Sequence, residues 1–464
     1  MAGIGFELQK ILKEGGLAGF FKVALAGIII VAGPWILSII GIFLIGRFAG
    51  FVLAEGRSLF MGVIIYSYAF SLFIFGGTHY VFTRMVADII YLEERREAGA
   101  ALVLFAVLIT ALSLPVSLIA AARLNAGALP ALIRPGLFRL GAVLFFTVIN
   151  LTWLLMIFIS LSKRYLAIFI IFLAGISASV AGVVGLGSQL GLGGAMIGFA
   201  GGQCLTTVLL FVLSLLECPP GRFGSATRRL AAYFPKYRYL FLTGLFYYWG
   251  IWIDKIVFWF ACGTPVPGTF IRLFDAYDIP VYLANLTMIP GLVYFIVVAE
   301  TNFYVRLKNF LLALSHGRLG IILEQKARLR TEMRTSLGEQ SLFQGVLTVF
   351  LLLAAPALCA ALFANSVDSG ILRLTLIAVF FHLLFLTTLT MLFYLEMYAR
   401  AFLASVIFFA VNLAGSLITV RLAGGLFGLS YLLGGISASL AAMVFLHQDL
   451  KRIERLIYAR YSSD

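Results

Sequence analysis

The run Phe246-Tyr247-Tyr248-Trp249-Gly250-Ile251-Trp252-Ile253-Asp254-Lys255-Ile256-Val257-Phe258-Trp259 sets an acid beside a base inside an aromatic, apolar stretch. On a helix turning about 100° per residue, Lys255 falls on the side of Tyr248, Trp252 and Trp259, while Asp254 falls with Tyr247 and Phe258. Adjacent helical residues do not face each other, so the two charges are expected to find different partners. Flat aromatic faces next to charged and hydroxyl groups suit sugar rings, whose C–H faces stack while their hydroxyls hydrogen-bond. An aromatic belt at the outer interface, with Lys255 reaching outward, accounts for the same residues. Trp249, Trp252, Asp254 and Lys255 are therefore candidate lining of a transport pathway, together with His382, Asn150, Gln203 and Asn412, each mid-way along another apolar segment. Singly, each of these last four is accounted for by an interhelical hydrogen bond; at similar depth, they predict a polar cavity.

Charges also mark the ends of apolar segments. Arg84 and Glu300 occupy corresponding places in the two halves and could close an inner gate by a salt bridge, or each could contact headgroups. Asp275 and Asp278, beside Tyr277 and Tyr282, could attract a cationic product at an outer mouth; a solvated loop is the plainer reading. Catalysis has no footing here. There is no Asp-x-Asp motif, no Ser/His/Asp set with recognisable spacing and no metal-ligand cluster, and His79, His316, His382 and His447 are far apart. No catalytic residue, metal or cofactor is expected.

These residues must be positioned by membrane-spanning helices. Twelve apolar segments approach or exceed the roughly 20 residues that cross about 30 Å of hydrocarbon: 23–45, 59–82, 100–122, 137–161, 166–184 and 193–216, then 239–262, 279–299, 341–363, 371–395, 401–420 and 425–446. Most of the 34 Lys and Arg fall in the N-terminal arm, alternate loops and C-tail, which places both termini in the cytoplasm. At 62% hydrophobic and 12% charged, the 464 residues leave little for a soluble domain. The net charge of +14 belongs to loops that face anionic headgroups, so nucleic-acid binding is not expected. Cys204, Cys218, Cys262 and Cys359 lack metal-ligand spacing; only Cys262 and Cys359 approach the outer face, where a disulfide could persist. No cleavable signal peptide is evident, and the first span is expected to stay attached.

The organisation predicted is an all-α polytopic membrane protein of two parallel six-helix bundles. An amphipathic N-terminal helix (1–22) precedes the first bundle (23–216); a basic cytoplasmic linker (217–238) leads to the second (239–446), which carries a cytoplasmic amphipathic segment (300–340); an amphipathic C-tail (447–464) follows. Six is even, so both bundles start and finish on one side, as parallel repeats do. Gly191-Leu192-Gly193-Gly194 and Gly425-Leu426-Phe427-Gly428 open the sixth and twelfth spans in a loose internal match. Small residues such as Gly175, Ser179, Gly182, Gly198 and Ser439 predict tight helix contacts. The stripes Ile4, Leu8, Ile11 and Leu12, then Leu450, Ile453, Leu456 and Ile457, and the alternation from Phe303 to Met333, predict helices on the cytoplasmic surface, resting on membrane lipids or docking a partner.

The opening Met1-Ala2-Gly3-Ile4-Gly5-Phe6-Glu7-Leu8, followed by the kinked Gly33-Pro34-Trp35-Ile36-Leu37, resembles the start of the PelG family, the inner-membrane transport subunits of Pel exopolysaccharide synthesis. The resemblance implies membership of the multidrug/oligosaccharidyl-lipid/polysaccharide (MOP) flippase superfamily, whose two six-helix bundles flank a central cavity. It further implies a bacterial inner-membrane location, a cytoplasmic glycosyltransferase partner (PelF-like), membrane subunits (PelD-like and PelE-like), and a GalNAc-rich, partly de-N-acetylated, cationic polymer as cargo. Two features depart from the superfamily's pattern. Span one lacks the acid of ion-coupled drug exporters, and the spans offer chiefly Lys255 and His382 rather than an Arg-rich lumen. The expectation is export of a nascent polysaccharide received from its synthase. The alternatives are a lipid-linked oligosaccharide flippase and a non-transporting scaffold that activates the glycosyltransferase.

Overall fold

A computed structural model describes residues 56–124, 134–161, 164–363, 367–422 and 426–454, with Gly27 and Ile45. The N-terminal helix expected over 1–22, nearly all of the first span with its Gly33-Pro34-Trp35 kink, and Leu456 and Ile457 of the C-tail lie outside the described residues. Helices account for nearly all the remainder: α1 Arg57–Tyr91, α2 Arg95–Ala122, α3 Pro135–Leu161, α4 Tyr165–Glu217, α5 Phe223–Lys236, α6 Arg238–Cys262, α7 Asp275–Leu286, α8 Met288–Tyr294, α9 Glu300–His316, α10 Leu319–Phe363, α11 Ser369–Tyr394, α12 Tyr398–Arg421 and α13 Leu429–Lys451. A two-residue antiparallel pair, Thr264–Pro265 with Arg272–Leu273, follows α6. Among the described residues, nine helical segments are long and apolar enough to cross a membrane. The segment Asp275–Ser315 counts as one of these, and α6 falls outside the nine.

The chain divides into two compact units. The first holds α1 to α5, the strand pair and most of α6; the second holds α7 to α13 and claims the stretch Ile253–Val257 from the middle of α6.

In the first unit, Phe82, Phe105, Leu154 and Phe158 fill the core between α1, α2 and α3. The fifth and sixth expected spans form one 53-residue helix, α4, interrupted at Gly191, where φ is 67° and ψ −153°. Only glycine adopts that conformation readily. The break turns the helix back on itself: Gly182 meets the backbone of Gly198, and Gly202 meets Ser179. The small residues are thus contact surfaces, as helix association in lipid requires. Gly428, at the start of α13, also has a positive φ of 97°. The two loosely matched glycine motifs therefore each contain a backbone position that demands glycine.

The basic linker contains a helix that composition did not announce. In α5, Ala226 is buried, and Arg229 pairs with Glu94 at 3.0 Å and Glu97 at 3.3 Å. Tyr233 donates to Asp88 at 3.0 Å. Burial, reinforced by the Asp88 carboxylate, pushes the Tyr233 phenol up to about 12.

In the second unit, α13 packs against α11 and α12 through Gly434 and Gly435. The cytoplasmic amphipathic segment does not lie along the membrane surface as expected. Its latter half and the ninth span form one uninterrupted helix of 45 residues, α10, and a helix that crosses the bilayer cannot also lie flat on it. Leu329 and Met333 of that segment, with Leu450 and Ile453 of the C-tail stripe, are buried in protein rather than resting on lipid. Lys326 fastens the tail through Glu454 at 2.6 Å. All four cysteines are free.

Candidate functional site

The acid and base of α6 do not seek separate partners. Lys255 Nζ curls back to within 3.3 Å of Asp254 Oδ1, and the two side chains form a buried ion pair. Asp254 is fully buried and Lys255 is 7% exposed. The four-carbon lysine stem is long enough to override the 100° offset between neighbours, which the wheel argument ignored. Tyr277 of α7 donates to Asp254 Oδ2 at 2.5 Å. The Lys255 ammonium also sits 5.2 Å from the ring centroid of Tyr431 on α13, a cation–π contact favoured in a desolvated place. The Tyr431 hydroxyl lies 2.5 Å from His382 Nδ1 on α11 and 3.4 Å from Asn285 Oδ1 on α7. His382 stacks on Phe408 of α12 at 5.4 Å.

Four helices of the second unit, with the Ile253–Val257 stretch of α6, thus converge on one polar centre. An unpaired Lys or Asp at mid-bilayer would cost about 2.5–3.5 kcal/mol on insertion scales. Mutual neutralisation, one phenol donor and one aromatic face offset that cost. Of the predicted pathway residues, this centre unites Asp254, Lys255 and His382. Tyr277, Tyr431 and Asn285 were not assigned to it from sequence, because tyrosines in an aromatic-rich chain carry no distinguishing signal.

The remaining candidates lie elsewhere. Asn412 is buried on α12 against Gly434 of α13, in a helix contact. In the first unit, the Asn150 amide donates along its own helix to the Phe146 carbonyl at 2.8 Å, and Gln203 donates to Ser179 at 3.0 Å across the fold of α4. Asn150 and Gln203 follow the hydrogen bonding that single polar residues usually serve. Trp249 stacks near Phe73 at 5.7 Å, and Trp252 lies 6.1 Å from Trp259, which is stacked on Tyr66 at 4.7 Å. Both Trp249 and Trp252 remain half-buried. A second His–Tyr pair, His79 with Tyr248 at 2.9 Å, ties α6 to α1 and was not foreseen.

Arg84 pairs with Asp88 one turn on at 3.2 Å and lies over Tyr237, whereas Glu300 is buried and accepts from the Tyr394 hydroxyl. Asp275 and Asp278 occupy the first turn of α7, where negative charge faces the positive end of the helix dipole. Among the described residues, no cluster of His, Cys, Asp or Glu is arranged to hold a metal ion.

The family described as "PelG: Putative exopolysaccharide Exporter (EPS-E)" matches residues 1–458. The chain belongs to the PelG family. Its fold is shared with solved MOP-superfamily transporters at low identity. A mutant of the Vibrio cholerae MATE transporter VcmN aligns over 97% of this chain and 99% of its own at 14% identity, with a TM-score of 0.61. A MATE protein in complex with MaL6 aligns over 94% and 97% at 12% identity, TM-score 0.58. A MOP superfamily transporter from Pyrococcus furiosus aligns over 94% and 96% at 13% identity, TM-score 0.52. No curated protein sequence matches significantly. This PelG-family chain is accordingly a multi-pass membrane transporter with a MATE-like fold, not an enzyme.

Proposed function

We propose that this transporter carries a nascent, GalNAc-rich exopolysaccharide across the bacterial inner membrane, receiving it from a cytoplasmic PelF-like glycosyltransferase in an assembly with PelD-like and PelE-like membrane subunits. The observation that carries the reading is the match to an exopolysaccharide-exporter family along nearly the whole chain. The proposal takes twelve crossings, with α4 counted twice across Gly191 and both termini cytoplasmic, in keeping with the distribution of Lys and Arg. Half-buried Trp249 and Trp252 supply stacking surfaces for sugar rings. The closed Asp254–Lys255 pair is capped by Tyr277 of α7 and leaves no bare charge for the polymer to meet there, and Asp275 and Asp278 offer negative charge to a cationic polymer leaving the membrane. Growth of the chain at the synthase supplies the driving force, so the pathway needs only contacts weak enough to slide past.

The test is secretion. Cells lacking this chain, but retaining the glycosyltransferase, should accumulate no extracellular polymer, and the wild-type chain should restore it. Wild-type levels of secreted polymer from the deletion strain would end the proposal. Movement of a lipid-linked sugar by purified protein without any synthase would replace it with the flippase reading.

A further inference from the structure

α10 has 45 residues, and at 1.5 Å per residue it is about 68 Å long, more than twice the ~30 Å thickness of hydrocarbon. Its apolar half begins near Leu342, which is exposed as a lipid-facing residue should be, and the charged half runs from Leu319 to Gln340. The charged half therefore extends on the order of 30 Å beyond the hydrocarbon boundary, well past a headgroup layer of about 5–8 Å. α9 runs beside it. Phe303, Leu307, Phe310 and Leu314 of α9 are buried with Ile322, Leu329 and Met333 of α10, so the hairpin closes its own seam. Arg306 and Glu332 pair across it at 3.7 Å.

The far end carries apolar residues that this seam does not use. Leu312 is 56% and Leu319 71% exposed, and Leu311, Ile321 and Leu323 are exposed beside them around the Gly317 turn. Large aliphatic side chains grouped in water mark a protein interaction site. Lipid cannot reach them at that height. Exposed Lys308 and Arg318 give the tip a positive edge, which disfavours a second copy of the same tip and favours an acidic surface.

We infer that the tip of the α9–α10 hairpin is a docking surface for a cytoplasmic protein that presents an apolar groove edged with Asp and Glu. Given the export proposal above, on which the partner's identity rests, that protein is the polymer-making glycosyltransferase. The leucines enter the groove and supply affinity; Lys308 and Arg318 steer the encounter.

The experiment uses the full chain in lipid nanodiscs and the purified glycosyltransferase, with binding followed by biolayer interferometry. Leu312→Ser combined with Leu319→Ser should weaken binding at least about tenfold, mainly by faster dissociation. Lys308→Glu combined with Arg318→Glu should slow association at least about tenfold and reduce its salt dependence. Both variants change exposed positions and should keep the wild-type melting temperature. Binding within twofold of wild type by the leucine variant would overturn the inference. So would a shift in sedimentation that the leucine variant abolishes without any glycosyltransferase, which would assign the tip to self-association. Hydrogen-exchange protection of 308–323 that appears on replacing phosphatidylcholine with phosphatidylglycerol would assign it to lipid. Failure of the export proposal is separable, because it is read from secreted polymer in the deletion strain and not from binding.

Discussion

The buried pair in α6 permits a sharp thermodynamic test. Lys255→Met removes the cation 3.3 Å from Asp254 and leaves a fully buried carboxylate supported by the Tyr277 hydroxyl. Asp254→Asn leaves Lys255, 7% exposed, with the face of Tyr431 but without its counter-charge. Breaking a buried pair from one side typically costs about 3–5 kcal/mol, because the surviving charge remains desolvated. For a unit of this size that corresponds to a fall in melting temperature on the order of 10 °C. The double variant Asp254→Asn, Lys255→Met should recover most of the loss. Asn keeps an acceptor for Tyr277, Met approximates the volume of the lysine stem, and no charge stays buried. The cycle should give a favourable coupling of about 2–3 kcal/mol. Thermal melts of detergent-solubilised protein, read by fluorescence-detected size exclusion, would measure all four species under one condition. If the single variants melt within about 2 °C of wild type, or if their losses simply add in the double, the pair is not the buried, mutually dependent unit described here.

Further outcomes follow from other contacts. Gly191→Ala forces a Cβ into a backbone region almost confined to glycine, and should lower stability by about 1–3 kcal/mol; equal melting of the variant would mean that α4 does not break there. Trp252→Ala should reduce secreted polymer several-fold at unchanged protein level, whereas Trp252→Phe, which keeps an aromatic face, should retain most of it. Normal secretion by Trp252→Ala would remove this position from the pathway. Arg229→Ala loses the pairs with Glu94 and Glu97 in a half-exposed setting, so the expected loss is about 1 kcal/mol, shrinking as salt rises. Melts in low and high salt that show the same difference would contradict an ionic role for α5.

Much of this architecture could be read directly from the chain. Long apolar runs placed α1, α2, α3, α11, α12 and α13 because an unbroken run of about 20 apolar residues satisfies its backbone groups in lipid as a helix. Asp254, Lys255 and His382 drew attention because charge and imidazole are rare at such depth, and the structure brings all three into one centre. Their partners escaped notice for the opposite reason. Tyr277 and Tyr431 belong to a residue type that occurs throughout the chain, and only the tertiary fold selects these two. The α5 helix was hidden by Pro219, Pro220 and clustered charge, a loop-like composition; yet its apolar face, with Ala226 buried, completes an edge of α2. The continuity of α10 was missed because a shift from charged to apolar composition near Gln340 reads as a boundary. No residue there stops a helix, so the helix runs on from water into lipid.

The way α6 disposes of its charges bears on how a polymer could pass. A chain carrying free amines, threading against a lone buried carboxylate, would meet a trap: opposite unit charges 4 Å apart interact by roughly 4 kcal/mol even at an effective dielectric of 20. Repeated at each sugar, that attraction would slow translocation by orders of magnitude. Here Asp254 is already neutralised by Lys255 and capped by Tyr277, inside the second unit. The residues of α6 left half-buried are aromatic, among them Trp249 and Trp252. Stacking on such faces is shallow and renewable along a sugar polymer, whereas an ion pair is neither. On this argument, Lys255→Met should impair export of a cationic polymer by two routes, lost stability and an unneutralised carboxylate that traps its amines. Only the second depends on the charge of the polymer, and full acetylation of its amines would relieve it.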